Sequence, residues 1–321
     1  MIFTKQIRTN LKIVTTPLRY IMDNSSSDQI KYIKDCIPKL DGTTHKGQAG
    51  RIGVVGGSLE YTGAPYFAGI SALKVGADLV HIFCTSVAAN VIKAYSPELI
   101  VHPLLDCQNA IEEISPWLER LHAIVIGPGL GRAPETFNVV SDLINRIRES
   151  KIPLIIDADG LFLITEKPDL INNFSSPVIL TPNKIEFTRL STKFNCPEAL
   201  NQKFGRNITI VKKGPIDEIY SMNPTVVWSV GTGGSGRRCG GQGDILSGSI
   251  ATFLNWTINN IDKAEFKTDG KDLAVASLAC YAACLLVRKC NEKAFQVKGR
   301  SMLATDMIDY IHEAFEELFG Q

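Results

Sequence analysis

No C-x-x-C pair occurs among the eight cysteines of this 321-residue chain. That absence removes the usual spacing of a structural zinc site or a redox dithiol. Cys84, Cys280 and Cys284 lie in apolar segments, while Cys36, Cys107 and Cys196 read as lone loop cysteines. Buried, reduced thiols are expected, which fits an intracellular compartment. A charge imbalance is missing too: 34 basic against 33 acidic residues leave +1. Nothing there calls for nucleic acid or an acidic partner. The longest apolar run, Leu273 to Val287, has 15 uncharged residues. A bilayer needs ~20, so a buried core helix is predicted and no membrane partner. The P-loop signature G-x-x-x-x-G-K-[S/T] is absent, and Gly127-Pro-Gly-Leu-Gly131 is not the dinucleotide turn G-x-G-x-x-G. The histidines (His45, His81, His102, His122, His312) have no G-x-S-x-G elbow to serve, which argues against a triad hydrolase. Three glycosylation sequons, at Asn173, Asn207 and Asn255, read as chance matches inside folded elements.

Acids are missing from residues 1–22, which carry Lys5, Arg8, Lys12 and Arg19. Such a stretch reads either as a mitochondrial transit peptide or as a disordered basic leader. Met22 offers a second start, which would give a shorter, cytosolic form. Cytoplasmic and mitochondrial locations both follow from this reading. Residues 1–27 are taken as leader, with Asn24 to Asp28 as a linker, and residues 28–321 as one domain.

That domain alternates short apolar runs with helical patterns. Strands are predicted at 51–55, 78–84, 122–126, 153–156, 178–180 and 207–211, and a hairpin at 218–222 and 225–230 around Asn223-Pro224. Helices are predicted at 64–76 and 135–149, with two or three long ones toward the C-terminus. Continuous apolar strands between helices predict an α/β fold: a three-layer αβα sandwich around a mostly parallel sheet. Gly56-Gly57, Gly127 to Gly131, Asp157 to Gly160, Asn183 and Lys212-Lys213-Gly214 all follow strand ends. Ligands of open α/β sheets bind at that edge.

The most informative stretch is Arg237-Arg238-Cys239-Gly240-Gly241-Gln242-Gly243-Asp244, running into Ile245 to Leu254. Glycines let backbone N–H groups converge on one point. A helix N-terminus adds partial positive charge there. Together they suit a phosphoryl group in transit, with Asp244 placed to take a proton from the attacking group. An ordinary capped helix after a flexible loop is the plainer alternative.

Several segments resemble the ribokinase-like superfamily and, within it, the ATP-using NAD(P)H-hydrate dehydratases. They are His45 to Gly57, Glu60 to Ala68, Ser71 to Ala77, Gly127 to Arg132, Asp157 to Leu161, Thr181 to Phe187 and Arg237 to Gly248. The resemblance implies a substrate bearing a hydroxyl on ring carbon six of hydrated NADH or NADPH. ATP is then the co-substrate and Mg2+ the cofactor. It implies Asp244 as catalytic base, with Gly241, Gln242 and Gly243 holding phosphoryl oxygens.

For the substrate the resemblance implies Gly129, Gly131, Asn183, Lys184, Ile185, Glu186, Phe187, Thr188, Arg189 and Asp244. For ATP it implies Lys213, Gly214, Pro215, Ile216 and Asp217, then Gly234, Ser235, Gly236, Arg237, Arg238, Cys239, Gly240, Gly241, Gln242 and Gly243. Asn183 and Glu186 match an N-x-x-E motif that acts on magnesium and phosphate; a helix cap with a surface glutamate is the alternative. Tyr61 to Pro65 is expected on the substrate side. Asp157 and Asp159 touch substrate or metal, or merely cap a helix. Lys46 and Arg237 are open to a role as plain surface contacts. The rival readings are a vitamin-type kinase of the same superfamily and a non-catalytic nucleotide sensor. Partners are small molecules; a homo-oligomer is left open.

Overall fold

A computed structural model describes residues 26–42, 45–194, 205, 207–221, 227–264 and 271–320. The described strands are β1 (Arg51–Val55), β2 (Leu79–Cys84), β3 (Leu99–Pro103), β4 (Ala123–Ile126), β5 (Leu154–Ile156), β6 (Val178–Leu180), β7 (Ile208–Lys212), β8 (Asp217–Tyr220) and β9 (Val227–Val230). They form one sheet in the order β3-β2-β1-β4-β5-β6-β7-β8-β9. Pairing is parallel from β3 through β7 and antiparallel for β7 with β8 and β8 with β9.

Alternate residues of a strand face opposite sides, and both sides are apolar here. Ile52, Val54, Val125, Ile155, Ile179 and Val211 enter one core; Val55, Ile124, Ile126, Ile156, Leu180 and Ile210 enter the other. That is why β4, β5 and β6 are buried at every position. The first face is covered by α1 (Ser26–Cys36), α2 (Gly63–Val75) and α3 (Ser86–Tyr95). The second is covered by α4 (Ala110–Leu118), α5 (Pro134–Glu149), α6 (Ala158–Glu166) and α7 (Lys184–Phe194). Four later helices return to the first face: α8 (Gln242–Asn260), α9 (Lys271–Lys298), α10 (Ala304–Asp309) and α11 (Ile311–Phe319). The expected three-layer αβα sandwich is therefore the observed architecture.

The run around Leu278 to Leu286 lies in α9, buried against α8 and α11. Among the described residues no helix is long and apolar enough to cross a membrane. Two expectations are corrected. The supposed linker enters α1 at Ser26, and Cys36 is a buried core residue rather than a loop cysteine. Burial pushes the Cys36 thiol up to about 12. The second strand of the hairpin begins at Val227; its turn, the leader through residue 25 and Cys196 lie outside the described residues.

Two helices of the first face meet at very close range. Gly248 of α8 presses so closely on α2 that a Cβ there would run into the Ala68 carbonyl. Hydroxyl bonds fasten the pair on either side: Ser71 Oγ donates to Ile245 O at 3.2 Å, and Thr252 Oγ1 to Ala72 O at 3.1 Å.

Candidate active site

The strand order reverses at β1, which lies between β2 and β4. Such a switch point opens a crevice at the carboxyl edge of the sheet. Two cavities lie along it. One, of 490 Å³, is lined by the 240–244 loop, Lys213, Asn183, Glu186 and residues of α9. The other, of 620 Å³, is lined by Glu60, Tyr61, Ala64, Gly129, Gly131, Arg132 and Asp159. Ala158 and Asp244 line both. Ala158 holds a left-handed φ of 48°, a strained conformation for a residue with a Cβ.

The loop before α8 needs a glycine at position 241. Gly241 caps the helix at φ 93°, and a Cβ there would lie 2.6 Å from Ala304 and 2.9 Å from Phe67. The N–H groups of the helix's first turn have no partner within the helix. They open toward the first cavity with Gly240, Gly241, Gln242 and Gly243 in its wall. Gln242 Nε2 donates to Arg237 O at 3.2 Å, which folds the loop back on itself.

Beneath this turn sits Lys213. Its Nζ donates to Asp157 Oδ1 at 2.7 Å. The same oxygen accepts the Ala158 N–H at 2.9 Å, so Asp157 also caps α6. Burial works against the Lys213 ammonium, but Asp157, Glu186 and Asp244 outweigh it and hold its pKa above the usual lysine value. Asp244 has the opposite problem. Burial first, and then the Asp157 carboxylate, push its pKa well above the ordinary value, while Lys213 pulls it back. A carboxylate of raised pKa is a stronger base at neutral pH than a solvated one. Glu186 is raised by burial and opposed by Lys213.

The far wall of the first cavity is braced from α9. Arg288 Nε pairs with Asp217 Oδ2 at 2.8 Å, and its Nη2 donates to Gly214 O at 3.0 Å and Pro215 O at 2.8 Å. Asp217 Oδ1 accepts the Gly214 N–H at 2.9 Å. Ser235 Oγ donates to the buried Asn291 Oδ1 at 2.7 Å.

Of the residues expected for ATP, Lys213, Gly214, Asp217, Gly234, Arg238, Cys239, Gly240, Gly241, Gln242 and Gly243 line this cavity. Pro215, Ile216, Ser235, Gly236 and Arg237 do not; they build the loops behind it. Gly129 and Gly131 line the second cavity. Asn183 and Glu186 line the first and also close a reciprocal helix cap. Asn183 Oδ1 accepts the Ile185 and Glu186 N–H groups, and Glu186 Oε2 accepts the Asn183 N–H at 2.8 Å. Lys184, Ile185, Phe187, Thr188 and Arg189 line neither cavity: helical rotation carries them away, with Phe187 stacked on Tyr220. Sequence reasoning missed Arg288, Asn291, Cys284 and Met307 in the first cavity. The signal was slight, polar residues breaking the apolar pattern just after Val287. Neither Glu60 nor Arg132 of the second cavity stood out by itself, although both belong to segments that carry the resemblance.

Residues 52–313 match the family described as NAD(P)H-hydrate dehydratase. A protein of Aedes aegypti named ATP-dependent (S)-NAD(P)H-hydrate dehydratase is 51% identical over 315 residues, 98% of this chain and 90% of that one. Among solved structures, a ribokinase-like superfamily protein of Enterococcus faecalis superposes with a TM-score of 0.70 at 21% identity, covering 91% of this chain and 95% of that one. An ADP/ATP-dependent NAD(P)H-hydrate dehydratase of Bacillus subtilis, co-crystallised with ATP and Mg2+, superposes with a TM-score of 0.66 at 23% identity, covering 90% of this chain and 97% of that one. The fold is thus ribokinase-like. With half its residues shared across nearly its whole length, and with an acid poised between two cavities, the chain belongs to the NAD(P)H-hydrate dehydratase family.

Proposed function

We propose that this enzyme restores NADH and NADPH from the S form of their hydrates, consuming ATP and releasing ADP and phosphate. The observation that carries this reading is the position of Asp244, in the wall of both cavities. One cavity takes the triphosphate at the helix N-terminus; the other takes the hydrate.

Hydroxide is a poor leaving group and phosphate a good one. Asp244 takes the proton of the C6 hydroxyl, whose oxygen attacks the γ-phosphorus, and ADP departs. The C6–O bond then breaks as the ring nitrogen supplies its lone pair. Loss of the C5 proton re-forms the dihydropyridine. The N–H groups of Gly241, Gln242 and Gly243 face the charge that develops during transfer. Lys213, held by Asp157, keeps one positive charge beneath them.

A magnesium ion fits this site as a passenger of the nucleotide. Among the described residues no group of three or more histidine, cysteine or acidic side chains could hold a metal ion. Glu186 and Asn183 offer few oxygens beyond those closing the helix cap, which suits an ion bound mainly by phosphate and water. Bound there, the ion would neutralise phosphate charge.

The test is incubation with the S hydrate, ATP and Mg2+. Return of reduced-nicotinamide absorbance, with ADP and phosphate in equal amounts, supports the reading. A stable phosphate ester without restored absorbance would instead mark an ordinary small-molecule kinase.

A further inference from the structure

The second cavity contains three carboxylates, Glu60, Asp159 and Asp244, and a single cation, Arg132. A dinucleotide hydrate brings at least two negative charges on its diphosphate. Acids alone would repel it, so those charges need a counterpart. The cations of the first cavity are already engaged. Lys213 is paired with Asp157, Arg288 with Asp217, and Arg238 Nη1 donates to Ser235 O at 3.0 Å.

Arg132 is different. Its Nε pairs with Asp159 Oδ1 at 2.9 Å, and the other oxygen of Asp159 accepts the Gly131 N–H at 3.1 Å. Asp159 thereby fixes both the loop and the guanidinium, and its own charge is largely spent. The two Nη groups of Arg132 have no partner among the described residues, and the side chain is 54% exposed. Its guanidinium lies 4.2 Å from the centroid of the Phe162 ring, which orients the plane without using an N–H. A second guanidinium, Arg189, lies 5.5 Å from the same centroid and makes no hydrogen bond or ion pair among the described residues. Two cations with unspent donors therefore share one aromatic platform, Arg132 in the wall of the cavity that holds Asp244 and Arg189 outside that wall.

We propose that Arg132, oriented by Asp159 and Phe162 and seconded by Arg189, binds the diphosphate of the hydrated dinucleotide. The inference rests on the function proposed above. In the substrate one ribose separates the reacting ring from the diphosphate, whereas the 2′-phosphate of the NADPH form sits on the distant ribose. A cation lining the same cavity as the base suits the nearer charge. Both hydrates carry that charge, so this contact favours neither.

The experiment compares Arg132→Met, which keeps the stem on Phe162, with Arg132→Lys and Arg189→Met. Substrates are the S hydrates of NADH, NADPH and reduced nicotinamide riboside, the last lacking any phosphate. Loss of a charge-assisted hydrogen bond should raise KM for both dinucleotide hydrates by about 10- to 100-fold in Arg132→Met. Arg132→Lys and Arg189→Met should give smaller increases. The KM for ATP and the turnover number should hold, and the riboside hydrate should be converted no worse than by the wild type. Three results would overturn the assignment: an unchanged KM, a loss confined to the NADPH hydrate, or an equal loss on the riboside. If the wild-type enzyme converts none of the hydrates, the functional reading fails instead, independently of Arg132.

Discussion

The two cavities that meet at Asp244 are built on opposite plans. The proposed nucleotide side is braced by side chains reaching across long sequence distances: Arg288 to Asp217, Asn291 to Ser235, Lys213 to Asp157. The proposed hydrate side is shaped largely by backbone, with Gly129 at φ 60° so near the Tyr61 carbonyl that a Cβ would lie 2.5 Å from it. Few side-chain bonds cross it. A triphosphate is the same in every turnover and rewards a preformed cradle. A bulky, partly saturated dinucleotide needs room more than grip. Asp244 belongs to both regions, and its own electrostatics are governed by the braced one.

That contrast can be broken at graded cost. Asp244→Ala removes the shared element and should lower turnover by ~10²–10⁴-fold, with the circular dichroism spectrum unchanged; full activity would refute its role as base. Lys213→Met leaves the buried Asp157 charge unpaired and should cost about 3–5 kcal/mol by denaturant titration. It also removes the one charge that lowers the Asp244 pKa. As the proposed base, Asp244 works only when ionised, so the acid limb of the pH–rate profile should move to higher pH in this variant. A limb that stays put would show that Lys213 does not act on Asp244. Arg288→Met loosens the nucleotide side alone. Its KM for ATP should rise roughly tenfold while that for the hydrate stays put; equal changes in both would mean the two sides are not separately built.

Asp244→Asn makes the smallest change and the opposite kind. The folded carboxyl has a raised pKa, so its ionisation costs stability as pH climbs from the ordinary value through the raised one. The amide has no such cost and should be more stable by ~1 kcal/mol at neutral pH. The gain should vanish below the ordinary aspartate range, where the wild-type acid is protonated in both states. Denaturant midpoints at the two pH values decide it.

Much of the sheet is legible because β1, β2 and β4 through β7 are short apolar runs, all but β2 followed within three residues by Gly, Asp or Asn. The strand β3 escaped notice: Leu99–Pro103 ends in proline and has exposed positions, as an edge strand allows. Likewise α1 was hidden by the Ser-rich start that resembled a linker. At the site, glycines and the lone Asp244 declared themselves through local geometry. The braces did not, since the Arg288–Asp217 and Lys213–Asp157 pairs join residues 71 and 56 positions apart. The stretch 183–189 was read as a block, but a helix of period 3.6 turns only some of its residues toward a cavity. Asn183 and Glu186 arrive; Lys184, Ile185 and Thr188 face water.

The closeness of α8 to α2 at Gly248 has a reach beyond packing. The first of these helices carries Asp244 in its first turn, and the second opens in the wall of the second cavity. At Gly248 even a methyl group has no room between them. The spacing on which the proposed proton transfer depends is therefore set from behind, by carbonyl and hydroxyl groups that line neither cavity. A lesion there would surface as lost chemistry, although the residue altered never touches either substrate.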